Sequence, residues 1–168
     1  MDDVDLRFAD HPTAETSIDI AAPPDTVFAL VADISLPARF SRELVGAEWL
    51  DGATGPALGA RFVGRNEHPR VGAWETTSTI VELEPDRRLA WAVGDTANPG
   101  TTWRFTLEPI EGGTRLTQWM QIGPGPSGIN SVIAAMPDKE SRIIHRRLAE
   151  HRASMEANLA GIKTLAEE

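Results

Sequence analysis

The sequence contains no cysteine, which excludes disulfides, thiolate metal sites and thiol nucleophiles at once. It contains no tyrosine, so no side-chain phenol is available to hold or move a proton. Positive charge is scarce: 16 Lys and Arg stand against 25 Asp and Glu, a formal charge of −9. Such a chain repels phosphate backbones, and nucleic acid is not expected as a partner. No segment reaches the ~20 apolar residues that cross a bilayer. The opening Met1, Asp2, Asp3 has neither the basic region nor the apolar run of a signal peptide. A cytoplasmic protein without a membrane span is expected.

What is present fits an ordinary globule. With 168 residues, 41% of them apolar and 24% charged, the chain can bury a core without staples. Residues 1–14 read as a flexible leader and residues 15–168 as a single domain. The one basic cluster is Lys139, Arg142, Arg146, Arg147 and Arg152. It is interleaved with Asp138, Glu140 and Glu150, the pattern of a solvated helix face.

Residues 15–21 alternate Ile18 and Ile20 against Ser17 and Asp19, which predicts a half-buried strand. PPDTVFALVAD then starts with proline and acid where a helix accepts both, and Val27, Leu30 and Val31 form its apolar stripe. A second short helix is expected in LPARFSREL, with Ser35 as cap and Pro37 in its first turn. From Val45 the period becomes two. Strands are expected over 45–50, 60–67, 73–83, 88–93, 102–108 and 114–122, separated by turns rich in Gly, Pro and Asp. Connections this short require antiparallel neighbours. After GPGPSG, read as a turn, INSVIAAM forms a short helical piece ended by Pro137. Ile144, Leu148, Met155, Leu159 and Ile162 then mark one face of a terminal helix of about 28 residues, roughly 40 Å long.

The stretches IDIAAPPDTVFALVADISLPARFS, GARFVGRN, WETTSTIVELEPDRRLAW, GGTRLTQ and the closing GIKTLAE together resemble the START or helix-grip superfamily, also called SRPBCC. The resemblance covers roughly residues 15–166 and is nearest its polyketide cyclase/dehydrase and lipid-transport group. It implies an α+β helix-grip fold: a seven-stranded curved antiparallel sheet wrapped around the long C-terminal helix, with two short helices after the first strand. It also implies a START-like ligand-binding domain. Members of the superfamily differ in task, so the fold does not select the function.

Alternation assigns an inner face. Of its residues, Phe62, Gly64, Asn66, Trp74, Thr76, Ser78, Trp91, Trp103, Phe105, Gln118 and Met120 are expected to line a ligand site, with Leu148, His151 and Met155 supplied by the helix. Flat rings beside small or polar groups suit a mostly apolar pocket with a few orienting contacts. A buried amide or hydroxyl without a partner costs about 1–3 kcal/mol. Asn66, Thr76, Ser78 and Gln118 therefore either pair among themselves or face a ligand.

Of the four histidines, His145 and His151 lie six residues apart on one helix and point about 120° apart, so they make no metal pair. No metal site and no cofactor are expected. His151 falls on the cavity-facing stripe and, with Asn66, is the candidate for proton movement. Three functions follow from these readings. The first is binding of a small hydrophobic or polycyclic ligand, lipid- or polyketide-like, in an internal cavity. The second is a polyketide cyclase/dehydratase-type reaction using His151 and Asn66. The third is a protein-interaction adaptor, or a homodimer contact, through Trp119 on the outer face.

Overall fold

A computed structural model describes residues 4–168. Seven strands form one antiparallel sheet: β1 (Thr13–Ile20), β2 (Leu44–Trp49), β3 (Arg61–His68), β4 (Gly72–Glu84), β5 (Arg88–Val93), β6 (Thr101–Ile110) and β7 (Gly113–Ile122). Their order in the sheet is β1-β7-β6-β5-β4-β3-β2. The meander read from turn spacing is correct, and β1 closes it by pairing with β7, Ile18 opposite Leu116. The helices are α1 (Pro24–Val31), α2 (Gly128–Ala135) and α3 (Glu140–Ala166).

The sheet curls because its ladder is interrupted. Register shifts fall between Leu44 and Gly46 on β2 and between Ile80 and Glu82 on β4, and such irregularities increase local twist and bend. α3 packs mainly on β1, with smaller contacts to β7 and α1. The C-terminal half of α3 buries Leu159 and Ile162 in the main core with Ile20, Val27, Ile80, Leu89, Phe105 and Leu116. A smaller cluster of Ala14, Met120, Ile122 and Met155 lies alongside. With α3 seated toward one edge of the bent sheet and α1 against β6, β3 to β5 are left to be covered by side chains and loops.

One local expectation needs correction. LPARFSREL makes only a single 3₁₀ turn, Leu36–Arg39. Ser35 does not cap it; its hydroxyl donates to Asp33 instead. Six residues after Ser35, the Ser41 hydroxyl accepts the backbone N–H groups of Glu43 and Leu44, which turns the chain into β2 rather than a second helix. The leader, from Val4 onward, makes hydrogen bonds to the start of α3. Leu6 N–H donates to Ser141 Oγ, Phe8 N–H donates to Glu140 Oε2 at 2.7 Å, and His145 Nε2 donates to the Val4 carbonyl. Phe8 packs on the Met120 and Met155 cluster, and β1 begins at Thr13. Residues 1–3 of that leader lie outside the described residues.

The hairpin joining β6 to β7 presses its backbone on the chain leaving β1. A Cβ on Gly113 would collide with the Ile20 carbonyl oxygen and meet Ala21 Cα at 3.1 Å. Since backbone cannot rotate away, Gly113→Ala is expected to cost about 1–3 kcal/mol. Gly55, with open space around its Cβ position, is the control. Denaturant midpoints of the two alanine variants check this: Gly113→Ala falls and Gly55→Ala does not.

Among the described residues no helix is long and apolar enough to cross a membrane.

Candidate functional site

Between the concave sheet and α3 lies a chamber of about 160 Å³. Its apolar wall is a row of rings set edge to face. Trp49 meets Phe62 at 5.6 Å, Phe62 meets Trp91 at 5.5 Å, and Trp91 meets Phe105 at 5.8 Å. Strand pairing sets Phe62 directly opposite Trp49 across β2 and β3, and sets Trp91 diagonal to Phe105 across β5 and β6, where their direct partners are Trp103 and Leu89. Gly64 lies inward between Ala47 and Thr76 on the flanking strands, and the side chain it lacks is part of the room available.

Of the expected wall residues, Phe62, Gly64, Asn66, Thr76, Ser78, Trp91, Trp103, Phe105, Gln118, His151 and Met155 do line this chamber. Three lie elsewhere. Trp74 lines an outer vestibule of about 500 Å³, because β4 extends beyond the edge of the chamber. Met120 is fully buried in the small cluster behind it. Leu148 packs against that cluster and borders a groove beside Leu6 and Thr13 on the other side of α3. The helical stripe is wider than the part of it that reaches the chamber.

The chamber and vestibule meet at Asn66, Thr76, Val93, Trp103, Glu43 and His151. The vestibule wall is held by two loops that zip together: Gly123 N–H donates to the Gly100 carbonyl and Gly125 N–H to the Pro99 carbonyl, each at 2.8 Å. GPGPSG is therefore a close-packed seam as well as a turn; a Cβ on Gly125 would strike the Asn98 carbonyl.

His151 stands edge-on to Trp103 with ring centroids 5.2 Å apart. Burial, helped by the positive charge of Arg147, lowers its pKa to about 3. The ring is neutral at physiological pH, able to donate or accept a hydrogen bond. A general base works best with a pKa near the working pH, so in this environment His151 is a weak one.

Several lining residues were not anticipated. Val31, Asp33, Ile34, Pro37, Ser41, Glu43, Leu44 and Ala47 come from α1 through β2, where no simple period marks an inner face. Ser154 and Asn158 come from α3. They follow His151 by three and seven residues, so helical spacing alone could have named them. Asn158 is 4% exposed and Gln118 6%, and Asn158 Nδ2 donates to Gln118 Oε1 at 3.3 Å. One of the amides expected to pair or face a ligand is thus paired, with a partner from the helix.

Arg147, read as part of a solvated face, instead forks onto Glu43 at 2.7 and 2.9 Å beside the vestibule. Glu150 continues the chain of charges and accepts from His68 at 2.8 Å. Glu43, His68 and Glu150 lie close enough to suggest a metal cage. Their protons argue against it. Arg70 N–H donates to His68 Nδ1, which puts the ring proton on Nε2, the atom facing Glu150, where a metal would need a bare nitrogen. Arg147 already compensates Glu43. On the outer face, the Arg104 guanidinium lies 4.6 Å above the Trp119 ring, so that ring is capped rather than bare.

The family model for polyketide cyclase / dehydrase and lipid transport matches residues 11–167. The chain belongs to that family. It is 34% identical to the Polyketide_cyc-like protein Cgl2372 from Corynebacterium glutamicum, covering 91% of this chain and 90% of that one with a TM-score of 0.65. The Zhui aromatase/cyclase from Streptomyces sp. R1128 is 19% identical over 93% of both chains, with a TM-score of 0.63. The di-domain ARO/CYC BexL from the BE-7585A biosynthetic pathway is 18% identical, with a TM-score of 0.67; the match covers 94% of this chain and 50% of BexL. These last two likenesses show the shared helix-grip fold alone. No curated protein matches the sequence.

Proposed function

We propose that this family member binds a small hydrophobic or polycyclic molecule, of lipid or polyketide type, between the sheet and α3. The observation that carries the reading is a ring-walled chamber with a handful of polar groups, opening at His151 and Trp103 into a larger vestibule. Such a wall removes apolar surface from water at about 25 cal/mol per Å², while Ser78, Gln118 and Asn158 select orientation. Mass spectrometry of small molecules released from the purified chain tests it. Recovery of an apolar compound in near-stoichiometric amount is expected, and a chain that neither carries nor takes up any apolar compound refutes the reading.

A cyclase/dehydratase-type reaction is the second reading, favoured by His151 and Asn66 both facing the chamber in a chain of this family. The low pKa of His151 weighs against it unless a bound substrate raises the basicity of the ring. His151→Ala separates the two, abolishing turnover but sparing binding if catalysis is the task.

A further inference from the structure

The inner end of the chamber is defined by Asn158 on α3. From His151 to Asn158 is seven residues, about 10 Å along the helix; the next residue, Leu159, already belongs to the solid core. Among the described residues two buried side-chain polar atoms have no hydrogen-bond partner, Arg104 Nε and Asn158 Oδ1. Of the two residues, only Asn158 lines the chamber, and it is 4% exposed.

The Asn158 and Gln118 amides share one N–H···O bond. Turning both amides over preserves that bond, while turning one alone sets like atoms together. In either allowed arrangement one amide oxygen and one amide nitrogen remain outside the pair. The smallest group that can satisfy both is a hydroxyl, which donates once and accepts twice. A carbonyl or an ether only accepts, a hydrocarbon does neither, and a carboxylate accepts while bringing an uncompensated charge into an apolar site.

The chamber volume sets the rest. About 160 Å³ compares with the ~150 Å³ apolar cavity that takes up benzene, so it admits one ring, seated against Phe62, Trp91 and Phe105. Resting on the ligand-binding reading above, we propose that the ligand enters with a phenolic ring first. Its hydroxyl donates to the amide oxygen and accepts from the amide nitrogen of the Asn158 and Gln118 pair, and the rest of the molecule extends past His151 into the vestibule.

Isothermal titration with 4-propylphenol, 4-propylanisole and propylbenzene tests this. The natural chain should bind the phenol at least about fivefold more tightly than the other two, since a lost hydrogen bond that strands a buried group costs about 1–3 kcal/mol. In Asn158→Leu, which keeps the shape without the amide, the three should converge. Gln118→Met should do the same and serves if Asn158→Leu does not fold, which melting curves report. If phenol and ether bind alike to the natural chain, or the preference survives in a folded variant, the hydroxyl assignment is overturned and the cavity reading stands. If none of the three binds, the cavity reading falls with it.

Discussion

Gly64→Leu is expected to keep the fold and lose the ligand. A Cβ at this position would find Thr76 Oγ1 at 3.4 Å and Leu44 Cδ1 at 3.5 Å, which are close to ordinary contacts. Nor does the backbone of Gly64 require positive φ. Replacing a strand glycine removes conformational freedom from the unfolded chain, a gain of about 0.5–1 kcal/mol that offsets the crowding. Three further carbons then have to occupy the space beyond that Cβ, and β3 directs them into a chamber of about 160 Å³. Binding of propylbenzene should weaken at least tenfold while the melting temperature changes by no more than a few degrees. Undiminished binding in a folded leucine variant would mean that guests do not use this chamber.

The second large effect is in acid. An unfolded imidazole has a pKa near 6.5, while folded His151 is held at about 3. Between these values the unfolded chain carries a proton that the folded chain refuses. Stability therefore falls as pH drops from about 6.5 toward 3, by at most about 1.4 kcal/mol per pH unit, and this loss levels off below the folded value. From pH 7 to 4.5 His151 alone should remove about 2–3 kcal/mol. Carboxylates add their own losses at the acid end, so the comparison is between the natural chain and His151→Phe, which keeps an aromatic edge against Trp103. Denaturant unfolding at both pH values should show a shallower acid loss in the variant by that amount. Arg147→Gln, which removes the second cause of the shift, should move the His151 midpoint upward. Equal acid losses in all three proteins would mean that the imidazole is open to water.

The strands were legible because a half-buried sheet imposes a period of two, and the expected segments fall within two residues of β1 to β7 at every boundary. The same alternation placed Phe62, Gly64, Ser78 and Phe105 inside. Less was legible where no period operates. Glu43 and Arg147 are 104 residues apart and meet only because the chain folds, so a pattern reading assigned Arg147 to solvent. Asn158 was missed although it falls on the helical spacing of His151: without its partner on β7, a polar residue on an apolar stripe reads as an interruption. The leader is docked by single hydrogen bonds and one phenylalanine ring, contacts that leave no repeat in the sequence.

The account depends on a chamber that a guest can enter, and the indole N–H resonances of the five tryptophans report on it directly. In a two-dimensional NMR titration with propylbenzene, the Trp91 and Trp103 signals should shift saturably while that of Trp119, capped on the outer face, stays in place. Unmoved Trp91 and Trp103 signals at saturating ligand, or a Trp119 shift as large as theirs, would contradict it.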